Sequence, residues 1–183
     1  RAGFVKERLY NRLVDMFHST ALNLDNLTSI WVKLVLTLFK PVTYEGHVLL
    51  VADGLKVPKE GRKMPGVKKL HQSSTDNSKP AFIMGHSFQA VGLLVHGVGQ
   101  AVASIPLISR IHEGIVWTSL RRLTLLDKLV HLLGPIHGIL AQKTILVADA
   151  YYASGKVIIP LLDGGHHLVT RVRSNAVGYQ KAP

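Results

Sequence analysis

The sequence contains no cysteine and no long apolar run. Without cysteine the chain can form neither a disulfide framework nor a thiolate metal site, and this composition suits a reducing cytoplasm. No apolar segment approaches the ~20 residues that a membrane-spanning helix requires, and no signal peptide is visible. We therefore expect a cytoplasmic protein with no membrane partner.

Acidic residues are also scarce. The chain has 11 Asp and Glu against 22 Lys and Arg, which gives a net charge of +11. An excess of this sign favours a polyanionic partner, and nucleic acid is favoured over an acidic membrane surface. The alternative is a generic basic protein, because charge by itself supports association rather than a specific role.

The length and apolar content indicate a folded domain. With 183 residues, of which 47% are hydrophobic, the chain is long enough to bury a core. We expect a core domain at residues 43–183, preceded by a helical N-terminal extension at residues 1–42. Because the chain begins at Arg1 and stops at Pro183 with no closing element, we expect a fragment that is truncated at its C-terminal side.

Two apolar runs end in an aspartate. Residues 49–52 lead to Asp53, and residues 145–148 lead to Asp149. Each run is typical of a parallel strand that is buried on both faces by helices. If the strands are parallel neighbours, the two aspartates lie at adjacent strand ends, roughly 5 Å apart at the backbone. Two carboxylates so close repel each other unless a proton or a cation lies between them, and Mg²⁺ prefers such oxygen ligands.

Two helices are predicted before the first strand. Residues 4–18 carry apolar side chains at three- and four-residue steps, which is typical of an amphipathic helix. A second helix is predicted at residues 27–39, with Asp25 or Asn26 as its N-cap and Pro41 marking its end. We expect this helical pair to pack on the core domain; the alternative is that Arg8, Arg12 and Lys33 contact DNA.

A basic loop is predicted directly after the first strand, which we expect at His47–Asp53. Prolines and glycines between Lys56 and Lys69 argue against a helix there. A loop of this charge next to an aspartate suits phosphate binding, and a solvated surface is the alternative. The candidate DNA-binding residues of the loop are Lys56, Lys59, Arg62, Lys63, Lys68 and Lys69.

The middle of the chain is predicted to extend the sheet and then cross over it. Residues 82–98 are interpreted as an antiparallel pair joined near Gly85–Gln89, and residues 101–111 as a further short strand. Ser119 is the predicted N-cap of a long amphipathic helix that Gly134–Pro135 interrupts.

The segment after Asp149 is predicted to form a helix and a third buried strand. The helix is expected from Ser154 to about Leu162, and Gly164–Gly165 ends it. The strand is expected at residues 167–172. Three polar residues at its end would lie at the same sheet edge as the aspartates and contact phosphates or bases, with surface solubility as the alternative. They are Arg171, Arg173 and Asn175.

These residues suggest two-metal phosphodiester chemistry. One cation would lower the pKa of an attacking water or 3′-hydroxyl, and the other would stabilise the leaving oxygen. Such sites hold ions ~3.5–4 Å apart and require a further carboxylate. The alternative is that each aspartate is only a turn or cap residue.

Four segments resemble the catalytic segments of bacterial insertion-sequence DDE transposases. They are LVADGLKVPKEGRKMPGVKK at 50–69, IMGHSFQAVG at 83–92, LVADAYYAS at 146–154 and LVTRVRSNA at 168–176. The resemblance implies an α/β, ribonuclease-H-like fold with a mixed five-stranded sheet flanked by helices. It implies that Asp53 and Asp149 are the first two members of an acidic triad that binds two Mg²⁺ ions, with Mn²⁺ as a substitute. It further implies cleavage and joining of double-stranded DNA at transposon ends and target, by a homodimer on DNA associated with the nucleoid.

The sequence departs from that family at the third acid. The family places a Glu on a later helix, and neither Glu60, Glu113 nor Asp163 stands at a matching position. We therefore expect the chain to bind DNA but to cleave it weakly or not at all. Alternatives are another ribonuclease-H-like nuclease, such as a Holliday-junction resolvase or ribonuclease H, and an inactive DNA-binding remnant of a mobile element.

The ten histidines do not predict a metal site. They are scattered, and His166–His167 is the one adjacent pair. Zinc sites usually need three or four converging ligands, so zinc binding is not expected.

Overall fold

The computed structural model describes residues 7–61, 64–72, 80–112, 123–172 and 176–177. These ranges contain four α-helices, seven β-strands and one 3₁₀ turn. The helices are α1 (Glu7–His18), α2 (Leu24–Leu38), α3 (Leu125–Leu140) and α4 (Gly155–Asp163), and the turn is Ala150–Tyr152. The strands are β1 (Thr43–Tyr44), β2 (His47–Pro58), β3 (Lys68–His71), β4 (Phe82–His96), β5 (Val102–Ile111), β6 (Thr144–Ala148) and β7 (His167–Val169).

The strands form one mixed sheet. β4 lies between β2 and β5 and is antiparallel to both, whereas β6 and β7 continue the sheet beyond β2 as parallel strands. β3 pairs with the start of β4 and β1 with the start of β2. The expected mixed α/β sheet flanked by helices is confirmed. The sheet has seven strands in the described ranges rather than the expected five. The two additional strands are short: β1 pairs with β2, and β3 pairs with β4.

The two central strands are parallel neighbours, as the sequence predicts. β2 and β6 pair in register from Val48 with Thr144 to Ala52 with Ala148. β6 begins at Thr144 and ends one residue before Asp149. This register determines where the two aspartates lie.

The core lies on one face of the sheet. Val48, Leu50 and Leu146 are completely buried there against residues of α2, α3 and α4. On the other face Leu49 is half-buried and Val147 is 36% exposed. The prediction that both faces of these strands are buried is wrong for the described part of the chain, because the three helices that share the core cluster pack on the same face.

The N-terminal helices agree with prediction in type but not in every boundary. α1 is confirmed as an amphipathic helix, and α2 packs Val32 and Val35 into the core below the sheet. The N-cap of α2 is Asn23, not Asp25 or Asn26, because the Asn23 side-chain oxygen accepts the backbone N–H groups of both residues. No helix in the described ranges is long and apolar enough to cross a membrane.

β2 is longer than predicted. It continues through Asp53 to Pro58 and pairs with β4 along this length, with Asp53 opposite Ala90 and Pro58 opposite Gly85. The predicted basic loop is therefore strand at Lys56, and strand again from Lys68. Antiparallel pairing holds β2 extended after its parallel partner has ended.

β4 is one continuous strand rather than a hairpin. Gly85 and Gln89, which the sequence suggests as a connection, lie inside it. A Cβ atom at Gly85 would clash with the carbonyl oxygen of Val57 on β2. The glycine is present because the two backbones approach closely, not because the chain turns. The further strand predicted at residues 101–111 is confirmed as β5.

α3 also differs from its prediction. It begins after Thr124, whose hydroxyl forms a capping box with Asp127, and it continues through Pro135 to Leu140. Pro135 has no N–H to donate to the carbonyl oxygen of His131. Gly134, Pro135 and His131 are exposed, so water can hydrate that carbonyl group instead. The predicted N-cap, Ser119, lies outside the described residues.

α4 follows its prediction, with Ser154 as the N-cap position and Gly164 at its C-terminus. The strand that follows is shorter than expected. β7 covers three residues instead of six, and His167 and Val169 are exposed, so the prediction of a buried strand is wrong.

Candidate functional site

Asp53 and Asp149 are neighbours across β2 and β6. The last parallel pair is Ala52 with Ala148, so the aspartates are the next residue on each chain. Adjacent strands lie ~4.8 Å apart, and each aspartate comes directly after a residue at that spacing from its partner. In-register parallel strands direct such a pair to the same face, here the half-open face of the sheet. Both residues are exposed.

Each carboxylate is held by a local backbone group. Asp53 Oδ1 accepts the N–H of Gly54 at 2.7 Å, and Asp149 Oδ1 accepts the N–H of Tyr151 at 2.9 Å. Asp149 thereby caps the 3₁₀ turn. Within the described residues neither Oδ2 atom has a hydrogen bond or an ion pair. Two oriented carboxylates thus present uncommitted oxygens on one surface.

Arg171 lies at the same sheet edge. β6 and β7 pair from Ile145 with His167 to Val147 with Val169, and extending this register two residues brings Arg171 opposite Asp149. The hydroxyl of Thr170 donates to the Asp149 carbonyl oxygen at 2.7 Å, which fits this register. Arg171 is exposed. This position agrees with the sequence analysis, and a contact of Arg171 with phosphates or bases stays a prediction.

A buried polar pair lies below the two aspartates. Gln89 is completely buried and Tyr152 is 2% exposed, and the tyrosine hydroxyl donates to Gln89 Oε1 at 2.9 Å. Burial, together with the charges of Asp53 and Asp149, raises the pKa of Tyr152 to about 12. The hydroxyl therefore stays protonated and lies within electrostatic range of both carboxylates.

The lysines of the basic segment are not assembled beside the aspartates. Lys56 lies three residues beyond Asp53, so strand alternation directs it to the opposite face, and its Nζ donates to the His71 carbonyl oxygen at 2.7 Å. Lys68 Nζ donates to the His112 carbonyl oxygen at 2.8 Å, and burial, with the charge of Lys128, lowers the pKa of Lys68.

The remaining predicted contact residues divide into two groups. Lys59 is exposed just after β2, and Lys69 Nζ lies 4.4 Å from the centroid of the Phe82 ring. The others lie outside the described residues. They are Arg62, Lys63, Arg173 and Asn175.

The donor set suits a hard divalent cation but does not complete its coordination. Mg²⁺ takes oxygen ligands, usually one or two carboxylates, and keeps several waters. Asp53 and Asp149 supply that type of donor. In the described part of the chain no group of three or more His, Asp or Glu side chains converges as a metal site. The chemistry of the pair fits Mg²⁺ or Mn²⁺ with water and phosphate oxygens as the further ligands.

Gln89 and Tyr152 are the site residues that the sequence analysis does not assign. A signal exists for Gln89, because it is a lone amide in the otherwise apolar segment Phe88–Val95. A buried polar side chain in such a segment needs a specific partner. The partner could not be identified, since 63 residues separate Gln89 from Tyr152 along the chain.

No family profile, no curated protein and no solved structure matches this chain.

Proposed function

We propose that this chain is the catalytic core of a DNA transposase of the insertion-sequence DDE type. The observation that supports the proposal most directly is the register of β2 and β6, in which Asp53 and Asp149 follow the last parallel pair. The strand order β5-β4-β2-β6-β7, antiparallel and then parallel, supports the finer assignment to a ribonuclease-H-like fold. The net charge of +11 supports double-stranded DNA as the partner.

The residues at this edge have distinct roles in the proposal. Asp53 and Asp149 would hold two divalent cations, whose chemistry would be to activate a water or 3′-hydroxyl and to stabilise the leaving oxygen. Arg171 contacts the phosphate backbone next to Asp149, and the exposed Lys59 extends this contact along the DNA. The protein acts in the nucleoid, as a homodimer on DNA.

DNA binding with and without a divalent cation tests the proposal. Without a cation the carboxylates repel the DNA phosphates, whereas a Mn²⁺ ion held by the carboxylates would attract them. We expect Mn²⁺ at constant ionic strength to tighten binding of a fluorescent DNA duplex about tenfold, or about 1.4 kcal/mol. The double variant Asp53→Asn/Asp149→Asn should lose this response. Fluorescence anisotropy measures both affinities.

The outcomes separate the proposal from its alternatives. An affinity that Mn²⁺ leaves unchanged, or changes equally in the double variant, contradicts the transposase core and favours an inactive DNA-binding remnant. Tighter binding of an RNA–DNA hybrid or a four-way junction than of a duplex favours another ribonuclease-H-like nuclease. Asp15→Asn/Asp163→Asn, which removes two exposed acids on α1 and α4, serves as the charge-matched control.

A further inference from the structure

The two aspartates lie just beyond the ladder that connects their strands. Pairing of β2 with β6 ends at Ala52 and Ala148. At Asp149 the chain leaves β6 and enters the 3₁₀ turn, whereas Asp53 remains within β2 and pairs with Ala90 of β4. The separation of the two carboxylates therefore needs a connection other than the parallel ladder.

Gln89 and Tyr152 make that connection. Gln89 Nε2 donates to the Asp53 carbonyl oxygen at 3.1 Å, and Gln89 Oε1 accepts the Tyr152 hydroxyl. The Tyr152 backbone N–H donates to the Asp149 carbonyl oxygen at 3.1 Å. An unbroken path thus runs from one aspartate backbone to the other through two buried side chains. An ideal Cβ atom on Gly54 would lie 3.5 Å from the tyrosine hydroxyl, so the path is closely packed against β2.

Stability alone does not account for this polar pair. Burying an amide and a hydroxyl costs free energy that their hydrogen bond only offsets, and an apolar pair of the same shape would be about as stable. Met at 89 and Phe at 152 would fill the same space with no polar group to satisfy. What an apolar pair would not supply is a directional contact to the backbone of Asp53.

We infer that Gln89 and Tyr152 are positioning residues that set the separation of Asp53 and Asp149 for divalent cation binding. The inference rests on the proposed function and adds two residues to it. Neither side chain touches the cation, and both act through the backbone of the residues that would hold it. Groups that orient metal ligands commonly contribute 10–100-fold to metal affinity.

Titration with Mn²⁺, followed by electron paramagnetic resonance of the free ion, tests the inference without any need for catalysis. We expect Tyr152→Phe to weaken Mn²⁺ binding about tenfold. Tyr44→Phe, which removes an exposed tyrosine hydroxyl on β1, should leave the affinity unchanged. The double variant Gln89→Met/Tyr152→Phe should unfold in urea at nearly the wild-type midpoint and still bind Mn²⁺ about tenfold more weakly.

Each outcome has a separate meaning. Wild-type affinity in the double variant would show that the polar pair is only structural and would overturn the inference, even if Tyr152→Phe alone unfolds. If wild-type protein binds no Mn²⁺, or binds it equally well after Asp53→Asn, the proposed function fails and the inference fails with it. If Asp53→Asn removes Mn²⁺ binding but Tyr152→Phe and Gln89→Met/Tyr152→Phe both bind Mn²⁺ like the wild type, the inference alone fails.

Discussion

The two ends of the parallel pair β2 and β6 handle polar groups in opposite ways. At the carboxyl end, Asp53 and Asp149 are exposed and keep oxygens uncommitted among the described residues. At the amino end of β6, Thr144 is completely buried and lies among histidines. The same two strands therefore carry an open acidic edge and a closed histidine cluster.

The histidine cluster satisfies its own polar atoms. The rings of His137 and His166 stack at 3.6 Å between centroids, and the Thr144 hydroxyl lies 3.0 Å from His137 Nε2 and 3.1 Å from His166 Nδ1. The Thr144 backbone N–H donates to His166 Nδ1, so that nitrogen accepts and carries no proton. Lys143 Nζ donates to the Gly164 carbonyl oxygen beside the cluster.

The difference indicates which end interacts with other molecules. Neutral side chains that bond to one another around a completely buried threonine stabilise the fold. Two exposed carboxylates on neighbouring strands repel each other, and a cation removes that repulsion. The comparison therefore favours a structural role for the amino end and supports the proposal of cation binding at the carboxyl end.

The largest expected effect is at the histidine cluster. Thr144→Val removes the hydroxyl that both rings contact. His166 Nδ1 keeps the Thr144 backbone N–H, but His137 Nε2 loses this partner, which should cost about 1–3 kcal/mol of unfolding free energy. Urea unfolding at neutral pH measures this loss, and Mn²⁺ affinity should stay at the wild-type value. Thr170→Val, the same substitution at the acidic edge, should cost less than about 1 kcal/mol, since that hydroxyl is not in the core. A folded Thr144→Val variant that lost Mn²⁺ binding would contradict the view that the two ends of the strands have independent roles.

An intermediate effect is expected when the pH falls. Burial lowers the pKa of His137 to about 4, with smaller contributions from His166 and Lys143; burial also lowers the pKa of His166, with contributions from Lys143, His167 and His47. The unfolded chain takes up the proton first, at about pH 6.5. The stabilisation is therefore complete above pH 6.5 and is lost as the pH falls towards 4.

The size of this acid effect can be measured directly. For His137 we expect a loss of about 1–2 kcal/mol, a value reduced because the ring is only partly buried. His137→Gln should flatten the dependence of unfolding free energy on pH, whereas His131→Gln, at an exposed position on the same helix, should leave it unchanged. Equal slopes for wild type and His137→Gln would contradict a neutral, buried role for this ring.

The smallest effect on stability is expected at the acidic edge. In buffer without metal, Asp53→Asn removes the repulsion between two exposed carboxylates and should raise the unfolding free energy by less than about 0.5 kcal/mol. Millimolar Mg²⁺ should raise the melting temperature of the wild type but not of this variant, because a ligand stabilises only the folded state that binds it. A clear loss of stability in Asp53→Asn without metal would mean that the carboxylate is structural.

Local signals in the sequence predicted several elements correctly. Ser154 and Gly164 bound α4, and the apolar run before Asp149 ends as β6 ends. These features follow from the local residue pattern, which acts within a few positions of the chain, although the Ser154 side chain forms no capping hydrogen bond. The parallel pairing of β2 with β6 was also predictable, since an intervening helix favours a parallel return.

Other features depended on partners that are distant in the sequence. β2 passes through Asp53 because β4 pairs with it there, and Gly85 marks a close approach of two strands instead of a turn. Pro135 remains inside α3 because that side of the helix faces solvent. For β2 and β4 the pairing between strands outweighed a local preference for ending the element, and for α3 hydration of the exposed side did so.

The sequence by itself determined that an aspartate follows each of two apolar runs and that the chain carries a strong positive charge. Only the tertiary structure decided that the strands are exposed on one face, that Lys56 and Lys68 bond elsewhere, and that Gln89 meets Tyr152. The physical reason is that hydrophobic periodicity and capping are short-range, whereas a hydrogen bond across 63 residues exists only after the sheet has formed.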